Sequence, residues 1–348
     1  MEKISLPTVI PHTEAPLRSQ QIGNGLTDSY GRSHTSLRLS LTDKCNLRCI
    51  YCMDENTEFL PFDSLLSNKE IFLLVRFFVS LGIRKIRLTG GEPLLRKGLP
   101  DLIALLRTIP NLDEIALTTN GLLLDKLAMP LFVAGLNRIT ISLDTLNEST
   151  FEKMSRRKGL RQVLDGIAST SAAGFKNISI NTVLVRDIND KELISLVDFS
   201  HQNGLLPRFI ESMPIGAGKY DRQKLVESSE IIQILKNTYR EMTEIERPNK
   251  HSPAKFYRIP KGKVGIIASV SQPFCSVCNR LRVTAEGKFR TCLFSHVETD
   301  LLPFIRPEID QKEMEKAISR SVWGKLAGHG ANDIGFIKPN RTMHSIGG

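Results

Sequence analysis

No run of eighteen apolar residues occurs in the 348-residue chain, and residues 1–30 hold no compact apolar stretch followed by a small-residue cleavage site. Neither membrane insertion nor secretion is indicated, and the cytoplasm is the expected location. An arginine-rich tail is also missing: the net charge of +10 is dispersed, with one short cluster at Arg156-Arg157-Lys158. A basic surface is the electrostatic footprint of phosphate binding. Its dispersal here reads mostly as solvated surface, so no nucleic-acid partner is expected. Finally, no cysteine is left over. All six fall into two triplets, Cys45-x3-Cys49-x2-Cys52 and Cys275-x2-Cys278-x13-Cys292. In a reducing compartment such a set points to metal rather than disulfides. What is present is bulk: 41% hydrophobic residues can bury a large core, as one elaborated domain or two smaller ones.

Three thiolates can hold three irons of a cubane cluster and leave the fourth open to an exogenous ligand, whereas a sealed electron-transfer cluster normally uses four protein ligands. Each triplet therefore reads as an incomplete iron-sulfur site. Zinc prefers four-coordinate Cys/His sets, and no histidine lies between Cys52 and His201 to complete the first triplet. For the second triplet a Cys3His zinc site completed by His296 remains an alternative on spacing. Arg280 and Arg282 adjoin it. On a strand over 280–284 they share one face and can grip phosphate oxygens bidentately.

Apolar β-branched runs alternate with helix-period segments from residue 36 to about 211. The pattern predicts strands at Leu37–Leu41, Lys85–Thr89, Glu114–Thr118, Arg138–Leu143, Asn177–Leu184 and Pro207–Glu211, with helices near 68–81, 99–108, 122–134, 160–173 and 190–203. Six strand-helix repeats imply an α/β fold with a parallel sheet, doubly wound or barrel. Beyond residue 212 the pattern changes to a loop, a helix at 228–239 and short strands over 255–295, a smaller antiparallel region carrying the second triplet. The expected organisation is an extended N-terminal arm over 1–30 with a disordered tip, a main unit over 31–212 and a C-terminal region over 213–348.

The first triplet, with Tyr51 before its third cysteine and the Gly90-Gly91-Glu92-Pro93 turn, resembles the radical S-adenosylmethionine enzymes. That resemblance implies a partial six-unit (β/α) barrel with its chemistry at the carboxyl ends of the strands. With Asp28-Ser29-Tyr30-Gly31-Arg32, Thr118-Thr119-Asn120-Gly121, Ile141-Ser142-Leu143-Asp144, Arg208-Phe209-Ile210-Glu211, the second triplet and the terminal Ser345-Ile346-Gly347-Gly348, the chain resembles one family more specifically, the GTP 3',8-cyclases of molybdenum cofactor biosynthesis. The match runs from about Leu26 to the last residue.

The resemblance implies two 4Fe-4S clusters, on Cys45, Cys49 and Cys52 and on Cys275, Cys278 and Cys292, with S-adenosyl-L-methionine at the first and guanine meeting the free iron of the second. Tyr51, Gly91, Ser142 and Met213 would line the S-adenosylmethionine site. Arg38, Arg87, Thr118, Arg280, Leu281 and Arg282 would contact GTP. Arg38, Arg280, Arg282 and the tail residues Gly347 and Gly348 would support catalysis. An external electron donor and a downstream pyranopterin-forming enzyme are implied as functional partners, and a homodimer is admitted. One departure stands out: the family's GTP-binding lysine is replaced by Ser179, and Lys176 would point to the opposite face of a regular strand. The rival readings are a radical maturase of a peptide or RNA, which would need neither the arginine pair nor the glycine tail, and a zinc-bearing nucleic-acid binder, which leaves Cys45 to Cys52 unexplained.

Overall fold

Alternation of apolar and polar residues along a strand sends successive side chains to opposite faces. Here that alternation builds a sheet with one helix-covered side and one polar side. The structure, a computed structural model, describes residues 25–216, 220–333 and 335–347. Most of the expected N-terminal arm, and Gly348, lie outside those residues.

A short ribbon, β1 (Leu26–Thr27) and β2 (Ser33–His34), precedes the repeats. The main run is β3 (Ser36–Ser40), α1 (Asn68–Ser80), β4 (Lys85–Thr89), α2 (Leu99–Arg107), β5 (Glu114–Thr119), α3 (Leu124–Val133), β6 (Arg138–Ser142), α4 (Glu148–Ser155), α5 (Leu160–Ala172), β7 (Ile178–Leu184), α6 (Leu193–Gln202) and β8 (Leu206–Glu211). These six strands lie parallel in chain order. Leu37, Leu39, Ile86, Leu88, Ile115, Leu117, Ile139, Ile141, Ile180 and Phe209 turn toward the helices and are buried in one continuous core. The helix α4, polar over most of its surface, was not anticipated; its Asn147 cap accepts from Thr150 N at 3.1 Å.

The C-terminal region adds α7 (Ser228–Thr238), β9 (Thr243–Ile245), β10 (Lys255–Ile259), β11 (Gly262–Ile267), β12 (Arg280–Val283), β13 (Lys288–Arg290), β14 (Thr299–Asp300) and α8 (Gln311–Trp323). Its hairpins are antiparallel as expected, yet it forms no separate layer. β12 joins β3 and β11 joins β8, both in parallel, and the whole is one open sheet in the order β14-β13-β12-β3-β4-β5-β6-β7-β8-β11-β10-β9. An open sheet of six strands would expose unpaired N–H and C=O groups at both edges. The C-terminal segment covers both. No described helix is long and apolar enough to cross a membrane.

Candidate active site

The inner face of the sheet carries a row of guanidiniums. Parallel register puts Arg282 beside Arg38, Arg38 beside Arg87, Arg87 beside Ala116 and Ala116 beside Arg138. Residues in register on adjacent strands point to the same face, so four arginines from four strands line one level of the cavity. One level toward the carboxyl ends lie hydroxyls: Ser40 beside Thr89, and Thr118 beside Thr140 and Ser179. Arg87 Nη1 donates to Thr118 Oγ1 and Thr140 Oγ1, both at 3.2 Å, and Arg208 Nη2 donates to Thr140 Oγ1 at 2.9 Å.

Burial and mutual repulsion weaken these guanidiniums. Burial, then Arg282, Arg280 and Arg87, hold Arg38 well below its usual range. Burial chiefly, with neighbouring arginines, brings Arg87 down to about 10 and Arg208 and Arg282 to about 9. At those values Arg87, Arg208 and Arg282 stay charged at neutral pH. Cations crowded in this way form a site that an anion stabilises.

The first triplet occupies the loop after β3. Burial pushes its thiols up, Cys45 to about 11 and Cys52 to about 12, with Cys49 also raised. A metal would deprotonate them outright. The loop leaves no room for side chains across from it: a Cβ at Gly91 would meet the Lys44 and Asp43 carbonyl oxygens at 2.3 and 2.4 Å, and one at Gly216 would meet the Tyr51 carbonyl oxygen at 2.4 Å. Tyr51 Oη donates to Asp144 Oδ2 at 2.7 Å. Burial, opposed by Tyr51 and the Val183 N–H, lifts Asp144 to about 6. Ser142 stands on the polar face at the end of β6, in register with Asn181. Glu92 is a clamp between loops, accepting from Leu94 N, Thr119 Oγ1 and Asn120 N at 3.0, 2.7 and 2.7 Å.

The second triplet flanks β12. Burial opposes ionisation of Cys278, but Arg280 and Lys325 hold it down to about 6. The Arg280 guanidinium also stacks over Phe274, 4.6 Å from the ring centre. His296, the candidate zinc ligand, instead contacts the Ile337 carbonyl oxygen at 2.9 Å. Among the described residues no three His, Cys, Asp or Glu side chains converge closely enough to hold one ion. A cubane spreads its thiolates over separate irons, so Cys275 and Cys278 just before β12 and Cys292 just after β13 can serve as three of its ligands.

The tail joins the two ends. Ile346 is 1% exposed and packs in a cluster with Ile215, Phe294, Met213 and Cys292. The His344 N–H donates to the Cys52 sulfur. Gly347, in the left-handed region at φ +68°, lies so close to Ser40 and Thr89 that a Cβ would meet their hydroxyl oxygens at 2.5 and 2.6 Å.

Of the residues singled out from sequence, Arg38, Arg87, Thr118, Arg280, Arg282 and Gly347 share this cavity. Leu281 does not bring its side chain there. Alternation turns it into the core, fully buried, and leaves only its backbone near the site. Sequence reasoning missed Lys325, whose Nζ donates to the Arg280 carbonyl oxygen at 3.0 Å and approaches Cys278 Sγ at 3.7 Å. A lone lysine after a helix carries no signal. It also missed roles for Asn120 and Arg208, which stood within quoted motifs. Asn120 Nδ2 donates to Asn46 Oδ1 at 2.8 Å, beside the first triplet.

An open sheet of parallel strand-helix units with a three-cysteine loop after its first strand defines a radical S-adenosylmethionine enzyme. The Radical SAM superfamily model matches residues 39–200, and the Molybdenum Cofactor Synthesis C model matches 207–331. The chain belongs to the GTP 3',8-cyclase family. It is 43% identical to the GTP 3',8-cyclase of Rhodopirellula baltica over 93% of this chain and 92% of that protein. It is 42% identical to that of Mycolicibacterium smegmatis over 99% of both. Among solved structures, Streptococcus suis SuiB bound to S-adenosylmethionine is similar in fold, with a TM-score of 0.57 at 15% identity, covering 85% of this chain and 67% of that one.

Proposed function

We propose that this chain converts GTP to 3',8-cyclo-7,8-dihydro-GTP, the first step of molybdenum cofactor biosynthesis, by removing hydrogen from ribose C3', closing that carbon onto guanine C8, and reducing the resulting base radical with one electron from an external donor and one proton. The observation that carries the reading is the register-matched row Arg282-Arg38-Arg87, set between the two cysteine triplets. A cluster on Cys45, Cys49 and Cys52, when bound, supplies the electron that splits S-adenosylmethionine into methionine and a 5'-deoxyadenosyl radical. Tyr51, Gly91, Ser142 and Met213 line the S-adenosylmethionine side in this reading, and Cys275, Cys278 and Cys292 hold a second cluster near the base.

The arginine row, with Arg280, Thr118 and the Leu281 backbone, grips the triphosphate and so fixes the ribose. Placement matters more here than acid or base strength, because a radical hydrogen transfer needs reacting atoms near van der Waals contact and solvent kept out. The Ile346-Gly347 segment closes the polar face, and Gly347 and Gly348 support catalysis in this reading. Residues 31–212 act as the radical-generating part and 213–348 as the base-holding part. A cytoplasmic location, an external electron donor, a downstream pyranopterin-forming enzyme and a homodimer complete the proposal.

Anaerobic turnover of reconstituted protein with S-adenosylmethionine, dithionite and GTP tests it by mass spectrometry. Deoxyadenosine formed only with GTP, together with a GTP isomer, is the expected result. Deoxyadenosine formed regardless of GTP, with the nucleotide unchanged, would keep the radical chemistry and reject the substrate.

A further inference from the structure

Asp28 and Arg32, from the Asp28-Ser29-Tyr30-Gly31-Arg32 motif, form a clamp beside the second triplet. Asp28 is 1% exposed; it accepts from the Tyr30 and Arg32 N–H groups at 3.0 Å and from Arg32 Nε at 2.6 Å, and it meets His34 Nε2 at 3.0 Å. A guanidinium fixed in this way has its remaining donors free for other partners. Arg32 gives them to the Cys275 carbonyl oxygen at 2.9 Å and to those of Leu326 and Ala327 at 2.7 and 2.8 Å. One side chain thus joins the start of the second triplet to the segment that follows α8.

The clamped segment, Lys325-Leu326-Ala327-Gly328-His329, faces cysteine sulfurs at both of its ends. Lys325 Nζ approaches Cys278 Sγ at 3.7 Å while donating to the Arg280 carbonyl oxygen at 3.0 Å, and the His329 N–H is directed at the Cys275 sulfur. Lys325 is 4% exposed. Burying an ammonium is unfavourable unless an anion pairs with it. Among the described residues no carboxylate lies within ion-pair distance of Lys325, and the groups whose charge it feels most are Cys278 and Cys292, then the cations Arg32 and Arg280. The cysteine sulfurs are therefore its counter-ions.

We infer that Lys325 is the counter-cation of the second iron-sulfur cluster, held at the thiolates by the clamp of Asp28 and Arg32, and that it favours the reduced state of that cluster. The inference rests on the reading that Cys275, Cys278 and Cys292 hold a cluster. Three thiolates outweigh the charge of an oxidised cubane, and reduction adds a further electron. An ammonium close to one sulfur stabilises the more negative form more, and net charge and hydrogen bonds to the sulfurs are what set a cluster's potential. Lys325 acts through the cluster, as a positioning residue.

The test is an anaerobic redox titration of the reconstituted full chain followed by electron paramagnetic resonance, comparing wild type with Lys325→Met, Lys325→Gln and Lys325→Arg and determining iron in each sample. The signal that changes on adding S-adenosylmethionine belongs to the first cluster, and the other signal is the one followed. Lys325→Met removes the charge at similar length, Lys325→Gln also keeps a donor for the Arg280 carbonyl oxygen, and Lys325→Arg keeps the charge. The expected result for Met and Gln is a shift of about tenfold in the reduction equilibrium, against the reduced state, which is about 59 mV for one electron. Lys325→Arg should stay close to wild type, and the first cluster should not move. Loss of the second cluster from Met and Gln, with retention in Arg, would also support the counter-cation. An unchanged second potential in Met and Gln overturns it, as does an equal shift of both clusters, or a shift that Arg fails to reverse. Loss of the cluster from all three variants overturns it too, leaving Lys325 as a prop for the Arg280 carbonyl. Wild-type protein that takes up only about four irons would reject the second cluster itself, whereas about eight irons with an unmoved potential in the variants rejects only the role of Lys325.

Discussion

Arg282 Nη1 donates to the carbonyl oxygen of Gly347 at 2.6 Å, joining two residues 65 positions apart in the chain. Arg282 is 4% exposed and stands at the end of the arginine row. One side chain thus anchors the tail and belongs to the anion site, so closing the polar face and charging it are one event. Deleting Gly347 and Gly348 should leave S-adenosylmethionine binding intact and lower GTP-dependent turnover on the order of a hundredfold, the scale of losing one preorganised contact in a desolvated site. Deoxyadenosine and cyclised nucleotide measured in parallel check it. Loss of S-adenosylmethionine binding would assign the tail to the first triplet instead.

Gly347→Ala offers a gentler version of the same test. The φ of +68° disfavours a side chain, and the new methyl would collide with Ser40 and Thr89. Limited proteolysis should find the tail released and the sheet intact, with turnover reduced as in the deletion. A variant with a protected tail and full activity would contradict the close packing described.

Thr140 is the hinge of the cation row on its far side, since its hydroxyl accepts from both Arg87 and Arg208. Thr140→Val keeps the volume and removes the acceptor. Each hydrogen bond to a charged donor is worth about 1.5–3 kcal/mol, part of which water recovers in an open cavity. The expected outcome is a five- to tenfold rise in KM for GTP, on the order of 1 kcal/mol, with kcat within about twofold. A fall in kcat at constant KM would place Thr140 at the reacting carbon instead.

Asp144 is a buried carboxyl lifted to about 6, and Tyr51 and the Val183 N–H are what restrain it, at 2.7 and 2.8 Å. Tyr51→Phe removes one restraint beside the first triplet. Chemical denaturation at pH 8 should show a loss of about 1–3 kcal/mol, the cost of an unsatisfied buried acceptor, shrinking toward pH 5 as Asp144 takes up a proton. The loss should disappear in the Asp144→Asn background. A loss independent of pH would attribute it to packing alone.

Glu70 ties the C-terminal region to α1. It accepts from Arg306 Nε at 2.5 Å and closes a capping box with Ser67 at the start of that helix. The Arg306 hydrogen bond, against a smaller burial cost, brings Glu70 from 4.5 to about 2. A depressed carboxyl contributes stability that is present above its unfolded value and is lost as pH falls from about 4.5 to about 2. Glu70→Gln should cost about 1–2 kcal/mol at pH 7 after screening of the half-exposed Arg306. It should also flatten the acid limb of a stability-versus-pH curve in that window. An unchanged acid limb would show the pair to be solvent-dominated.

The six parallel strands and all but one of the helices between them were legible in the chain to within three residues. Their apolar positions recur at two-residue and three-to-four-residue spacing, and a sheet buried under helices demands that spacing. The polar helix α4 escaped because most of its surface needs no apolar residue. The C-terminal strands were legible as strands but not as sheet edges. Nothing local in Arg280–Val283 says that its partner is β3, more than 240 residues away, and pairing is decided by which edge lies open when the segment arrives. The cysteine triplets and the Gly90-Gly91-Glu92-Pro93 turn could be read as a site because their ligands are close in sequence. Lys325 and Thr140 could not, because each gains its meaning from neighbours on other strands.

The sequence alone therefore determined the repeating strand-helix architecture, the two cysteine triplets, the paired arginines and the family. Periodicity and short ligand spacings are local properties, and they survive without knowledge of the fold. Only the tertiary structure decided that Arg282, Arg38, Arg87 and Arg138 stand at one level and that the tail locks onto the first of them. It also turned Leu281 away from the site. Those relationships depend on strand register, and register is set by the global packing of the sheet against its helices.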